Sequence, residues 1–486
     1  MGFSISLFFQ MLEIRLFKYR RTKEVVGIIL TFMLILVVVN IATGGRIVNA
    51  AQHRIAVHRF NNLTNQDFLY DFNYLVNVLE ENWPFFNLSI SANGVDVHEL
   101  ADNMRVILND PGINNALDFL DALRVNFLWP INQLGHLRAI IDYDTYFTTA
   151  QSIEYWKRFL NFDPEGTTYE AFLRTETTLF YELLRDTGGI TLHHDDFLET
   201  PDPRPVIETA IIKEGEIAHL TVNRMINSNA DYGLRTRSRN ARLGTPPPLM
   251  GHYEEIIYNF YLDVANYNHL IIDIRGNPGG LHSHFDIFVA SVLVDDLVFL
   301  PAYVFYLDGI HSRQARSTLN FSRSLIGYTF QFIPRNEVRL PPSLPYFDDS
   351  IDFLQAFESA YELAPNSGWR GVTASSQPWL AFNGKAWLIV DEHTASAAEA
   401  VTAMFKYNNI ATVVGETTRG LFGTLFDAGN AMVSLQHTGI LIRFDVAYFT
   451  DTQGRPLNAG ITPHYFNRPG MDALETVIAM INEMED

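Results

Sequence analysis

Ser396 stands among small residues in the stretch Val390-Asp391-Glu392-His393-Thr394-Ala395-Ser396-Ala397-Ala398-Glu399-Ala400. The apolar run before it, Trp387 to Val390, reads as a strand, and Ala397 to Tyr407 reads as a helix. A serine at a helix N-terminus lies at the positive end of the dipole, and the N–H of the next residue can donate to an oxyanion forming beside it. A nucleophile needs both. The plainer alternative is a helix cap, a role open to Thr394 and Ser396 alike. A second stretch, Ile271-Ile272-Asp273-Ile274-Arg275-Gly276-Asn277-Pro278-Gly279-Gly280, runs from a buried strand into a glycine-rich turn. Glycine lets the main chain approach an anion and point N–H groups at it. A phosphate loop would end in Gly-Lys-Ser/Thr, and Gly280-Leu281-His282 does not supply that. Taken alone, this turn is as consistent with a tight strand-to-helix connection as with a site.

The two stretches gain specificity from their order and their sequel. Ala411-Thr412-Val413-Val414-Gly415-Glu416-Thr417-Thr418-Arg419-Gly420 follows the serine, and Gly454-Arg455-Pro456-Leu457-Asn458-Ala459-Gly460-Ile461-Thr462-Pro463-His464 comes near the end. In this arrangement the chain resembles the tail-specific (C-terminal processing) protease superfamily, peptidase family S41, with His464 where an Asp is usual. The resemblance covers residues 206–465 well and the preceding helical region more loosely. It implies an α/β fold with a ClpP/crotonase-like spiral ββα catalytic domain. It implies that Ser396 is the nucleophile, and that an oxyanion hole is built from the N–H of Ala397 and one from Gly279 or Gly280.

The family activates its serine in two ways. The processing-protease branch places a lysine after the Gly-Glu-x-Thr turn, but here Gly420-Leu421-Phe422-Gly423 holds none. The branch that resembles the tricorn core protease takes a histidine from a short Gly/Ser-His segment ahead of the catalytic sheet, and Leu134-Gly135-His136-Leu137 fits it. His136 is then the general base, because an imidazole titrating near neutrality can accept the serine proton and return it to the leaving amine. The third member of that branch is a Glu near the closing motif, where Leu457 stands in this sequence. Asp451, Asp445 and Glu399 are the carboxylates within reach of the role; Asp451 is the choice, and Glu399 is assigned to the helix N-terminus.

Elements able to position these groups are visible in the pattern. Phe68, Phe72, Leu75 and Leu79 fall on one helical face, Thr64 with Asp67 reads as a capping box, and Asn82-Trp83-Pro84 ends the helix. Helical segments follow near 96–108 and 114–128, and again from Tyr169 to Leu184, giving an N-terminal helical domain over 51–200. Pro201, Pro203 and Pro205 mark a boundary. A hairpin from Ile207 to Val222 opens the catalytic domain, expected over 206–470, and a proline-rich stretch at 305–380 reads as an insertion or lid. After the buried strand His269 to Ile274, Trp387 to Val390, Ala397 to Tyr407 and Ala411 to Val414 follow as strand, helix, strand, a right-handed βαβ unit.

Composition bounds the partners. A formal net charge of −20 over 486 residues, with no basic stripe after residue 50, excludes nucleic acid as a natural partner. The absence of cysteine removes disulfides, thiolate metal sites and a thiol nucleophile together. His193-His194-Asp195-Asp196 carries metal-capable atoms, but adjacent residues point to opposite faces of a strand and no distant ligands accompany them, so no metal or cofactor is expected. His282 and His284 either line the cleft or sit at its mouth. Arg15, Lys18, Arg20, Arg21 and Lys23 precede an apolar run from Val25 to Ala42, and Val48-Asn49-Ala50 offers a cleavage site. Residues 1–50 therefore read as a signal peptide or a signal anchor through residues 25–42, which leaves the body extracytoplasmic. The sequence thus implies an exported serine peptidase acting on peptide or protein substrates. Its rivals are a non-catalytic ligand- or peptide-binding relative and an esterase on the same scaffold.

Overall fold

The computed structural model describes residues 62–147 with short gaps, 167–187, 204–226, 252–314 with gaps, 381–422 and 430–485, besides short pieces elsewhere. Met1–Asn62 and Leu63–Asp486 form two units, and the second carries every element below. The signal segment 1–50 and the His193–Asp196 cluster lie outside the described residues, as do His282 and His284. Among the described residues no helix is long and apolar enough to cross a membrane.

Helix α1, Asn65–Asn82, begins at the expected capping box, with Thr64 N–H donating to Asp67 Oδ2 at 2.8 Å. Its buried face carries Phe68, Phe72, Leu75 and Leu79, and it stops before Pro84. Helix α2, Phe85–Asn93, ends on Gly94 in the left-handed conformation. Asp96 caps α3, Val97–Leu108, and Asn115 caps α4, Ala116–Leu123. Helices α5, Thr167–Leu173, and α6, Thr175–Asp186, divide what the pattern shows as one helical run from Tyr169 to Leu184.

Two sheets matter to the site. The chain first contributes β1, Arg138–Ala139, then the hairpin of β2, Ile207–Lys213, and β3, Ile217–Val222. Helix α7, His252–Val264, leads to β4, His269–Asp273, after which come β5, Ala302–Tyr306, and β6, Lys385–Val390. Helix α8, Ala397–Tyr407, β7, Thr412–Gly415, β8, Asn430–Ser434, β9, Leu441–Asp445, β10, Ala447–Asp451, β11, Tyr465–Phe466, and α9, Ala473–Glu485, complete the order. The larger sheet runs β11-β7-β6-β4-β3-β2, parallel throughout except for the β2/β3 hairpin. Its central strands are buried on both faces, so they read as continuous apolar runs rather than alternating ones. Val477 and Ile481 of α9 pack on Ile271, Trp387, Ile389 and Val414 of this sheet. The smaller sheet is antiparallel, β1-β9-β8. Of the expected insertion at 305–380, Gln355–Glu358 pairs antiparallel with β5, and most of the remainder lies outside the described residues. The fold is α/β, as the sequence implies.

Candidate active site

Ser396 closes the loop between β6 and α8 with φ 55° and ψ −121°, a backbone conformation that side-chain-bearing residues seldom adopt. A set of hydrogen bonds holds the loop in that shape. Asp391 Oδ1 accepts from the N–H groups of Gly276, His393 and Thr394 at 2.8, 3.1 and 2.9 Å. Ala395 N–H donates to Asn277 O at 2.9 Å, and Thr394 Oγ1 donates to Ile274 O at 3.0 Å. Ser396 N–H donates to Glu399 Oε2 at 2.9 Å. The other oxygen of Glu399 accepts from Thr418 Oγ1 at 2.6 Å and Gly420 N–H at 2.7 Å, and Thr418 Oγ1 accepts from Ile461 N–H at 2.7 Å. A single buried carboxyl thus ties the serine to the Gly415–Gly420 turn and, through Thr418, to the closing motif. Burial pushes Glu399 up to about 7, outweighing the donors that favour its ionised form.

The glycine turn lies directly against the serine. A Cβ on Gly279 would stand 2.8 Å from Ala397 N and 2.9 Å from Ser396 Cβ, so only glycine fits. Gly279 N–H is already committed to Asn277 Oδ1 at 2.8 Å. Gly280 N–H and Ala397 N–H have no acceptor among the described residues. Of the two glycines that the sequence leaves open, Gly280 is therefore the one whose N–H is available to an oxyanion.

The imidazole arrives from the opposite side. Gly135 and His136 both have positive φ, 57° and 50°, in a tight turn just before β1. A Cβ on Gly135 would collide with the rings of Phe85 and Trp83, so the aromatic start of α2 sets where the turn passes. His136 Nε2 lies 3.1 Å from Ser396 Oγ, and His136 Nδ1 lies 2.6 Å from Asp445 Oδ2. An ionised carboxylate can only accept, so the proton of the neutral ring sits on Nδ1 and Nε2 turns its lone pair to the serine. The Asp445 side chain is fully buried, whereas 15% of the His136 side chain is exposed, as a group that meets substrate requires.

The expected third carboxylate, Asp451, is not at the imidazole. Its Oδ1 accepts from Gln453 N–H at 2.8 Å and Arg455 N–H at 2.9 Å, which closes the turn after β10. The carboxylate on His136 is Asp445, because the register Arg138↔Arg443 carries the end of β9 to the start of β1. Leu457 is buried where the family's Glu would stand. Phe422, beside the position of the missing lysine, is buried against Phe449 at 5.2 Å. Among the described residues no cluster of three or more acidic or histidine side chains could hold a metal ion.

Residues 248–466 match the model of Peptidase family S41. No curated protein matches the sequence. Among solved structures the chain is similar to mature CPAF complexed with lactacystin, at 14% identity over 86% of this chain and 97% of that one, with a TM-score of 0.47. It is similar to a protein from Parabacteroides merdae classed as a peptidase, at 15% identity over 87% and 97% of the two chains, TM-score 0.46. A lipoprotein from Streptococcus agalactiae shares 12% identity over 86% and 96%, TM-score 0.43.

Proposed function

Because the chain belongs to peptidase family S41 across residues 248–466, we propose that it is a serine peptidase that hydrolyses peptide bonds through an acyl-enzyme on Ser396. The single observation that carries this reading is the continuous relay Ser396 Oγ, His136 ring, Asp445 carboxylate. His136 Nε2 takes the hydroxyl proton as Oγ attacks the scissile carbonyl carbon. Gly280 and Ala397 N–H receive the resulting oxyanion. The imidazolium then passes its proton to the departing amine, and water repeats the cycle on the ester to free Ser396 and the acid. Asp445 holds the ring in the productive tautomer and stabilises its charged form. A histidine at the serine, with no lysine after the Gly-Glu-x-Thr turn, supports a place in the tricorn-core-like branch. The basic residues and apolar run at 1–50 support an extracytoplasmic enzyme, either released or held by residues 25–42. The boundary near 201–205 divides a helical region supplying His136 from the region carrying Ser396.

A fluorophosphonate probe tests the reading directly. The wild-type chain is expected to label stoichiometrically on Ser396, and Ser396→Ala to abolish labelling while keeping its melting transition. Absence of labelling of wild type, or labelling that survives Ser396→Ala, overturns it.

A further inference from the structure

The strand pair that presents His136 and Asp445 is short: β1 is Arg138 and Ala139 alone, paired with Arg443 and Ile442 of β9. Continued two residues one way, this register sets His136 opposite Asp445; continued one residue the other way, it sets Ile140 opposite Leu441. A slip of one residue turns every side chain to the other face, and a slip of two carries the imidazole about 7 Å along the strand, out of reach of the carboxylate. So short a ladder does little to forbid either. Helix α6 grips it at the end away from the histidine. Ile140 N–H donates to Leu441 O at 2.9 Å, as in a hydrogen-bonded antiparallel pair. The Tyr181 hydroxyl stands in the return bond, donating to Ile140 O at 2.7 Å and accepting from Leu441 N–H at 3.3 Å. One turn earlier on the same helix face, the Thr177 hydroxyl meets Ser434 Oγ at 2.6 Å, and Ser434 is the β8 partner of Leu441. A single rung across all three strands is thus held by two hydroxyls of one helix. Both side chains are buried, and the Tyr181 ring is stacked on Tyr146 at 4.4 Å. The hairpin backbone is pressed onto the first turn of α6 as well, since a Cβ on Gly439 would collide with the backbone of Glu176 and Thr177.

We propose that Tyr181 and Thr177 are positioning residues for the reaction, a latch that fixes the register of β1 on β9 and so delivers the His136 ring to Asp445 and Ser396. From the gripped rung to the His136–Asp445 rung is the same four-residue step on both strands, about 13 Å. Without the Tyr181 hydroxyl, Ile140 O and Leu441 N–H either stay buried without partners or close directly on each other. Closure draws β1 towards β9, away from the spacing that the hydroxyl sets. Both outcomes misplace the imidazole and remove no group that touches substrate, so the rate of the chemical step falls while affinity holds.

This inference rests on the serine peptidase reading for its consequence, and two independent readouts separate the two. Tyr181→Phe, Thr177→Val, Thr177→Ser and Leu184→Ala are compared in the full chain, well below each melting temperature. One readout is fluorophosphonate labelling, resolved into its maximal rate and half-saturating concentration. The other is the proton NMR resonance of His136 Nδ1–H, assigned by its loss in His136→Gln. Tyr181→Phe and Thr177→Val should lower the maximal rate by about 10- to 100-fold, with the half-saturating concentration unchanged, and should shift the resonance upfield. Thr177→Ser keeps the hydroxyl and should stay at wild-type values in both. Leu184→Ala, buried on the same helix, should lower the melting temperature at least as much yet leave rate and resonance as in wild type. An unmoved resonance in Tyr181→Phe, or a rate no slower than that of Leu184→Ala, overturns the latch. A wild type that does not label sinks the peptidase reading alone, and the resonance then decides. Shifted in Tyr181→Phe, it upholds the latch; unmoved there, or absent from wild type, it overturns it.

Discussion

The serine and the histidine are held by two different kinds of structure. Ser396 sits at the mouth of a parallel sheet buried on both faces, on a loop gripped by two neighbouring turns, Ile274–Asn277 and Thr418–Gly420. His136 and Asp445 sit at the end of a short antiparallel pair whose geometry depends on packing by helices. The hairpin tip between β8 and β9 is held by Asp71 of α1, which accepts from His437 N–H and Thr438 N–H, both at 2.8 Å. From α6, Tyr181 donates to Ile140 O at 2.7 Å, and Thr177 meets Ser434 at 2.6 Å. One half of the site is thus written locally, in turns that grip one another. The other half is a matter of register and docking between segments some three hundred residues apart.

Substitutions can break that contrast in order of expected size. Asp445→Asn removes the acceptor that fixes the tautomer of His136 and should lower kcat by roughly 10²–10⁴-fold with little change in KM. Asp451→Asn, which touches only a turn, should leave kcat within about threefold while lowering stability by about 1 kcal/mol. Equal losses in the two variants would return the third role to Asp451. Gly279→Ala drives a methyl into Ala397 N and should cost roughly 10²-fold in kcat, with no second-site remedy because the obstruction is backbone. Gly135→Ala should cause a comparable loss by displacing His136, yet Phe85→Leu should restore part of it, since there the obstruction is largely side chain. Failure of that rescue would mean that the histidine turn is fixed by its own backbone rather than by α2.

A further comparison concerns stability rather than turnover, through Glu399, whose folded-state value of about 7 lies above its ordinary 4.5. A carboxyl raised on folding binds its proton more tightly in the native state. Its contribution to stability is therefore complete below pH 4.5 and is lost as pH rises through about 7. The shift corresponds to a few kcal/mol, on the order of 3. Melting temperature measured from pH 4 to 8 should fall more steeply for wild type than for Glu399→Gln. Parallel curves would show that the donors around the carboxylate keep it ionised throughout.

The same contrast explains what the sequence could and could not convey. Strands β4 and β6 are continuous apolar runs bounded by turn residues, and the Thr64 cap and the Trp83-Pro84 stop are local signals; all are legible without coordinates. Ser396 and the glycine turn belong to the same class, because their meaning lies in neighbouring residues. The carboxylate partner of His136 does not. Asp445, Asp451 and Glu399 are alike as residue types, and only the pairing of β1 with β9 decides which of them faces the ring. The choice between Gly279 and Gly280 was equally hidden, since it turns on the Asn277 side chain occupying one of two adjacent N–H groups.

The relay joins positions 136, 396 and 445, separated by 260 positions for the first two and 309 for the first and last. During synthesis the imidazole emerges early, the hydroxyl much later, and the aspartate last of all. On the proposed mechanism, a nascent chain has no working nucleophile until most of its length has been made and β9 has found β1. A peptidase assembled this way stays harmless to its own unfinished polypeptide, and a fragment lacking the final fifty residues should be as inert as one lacking the serine.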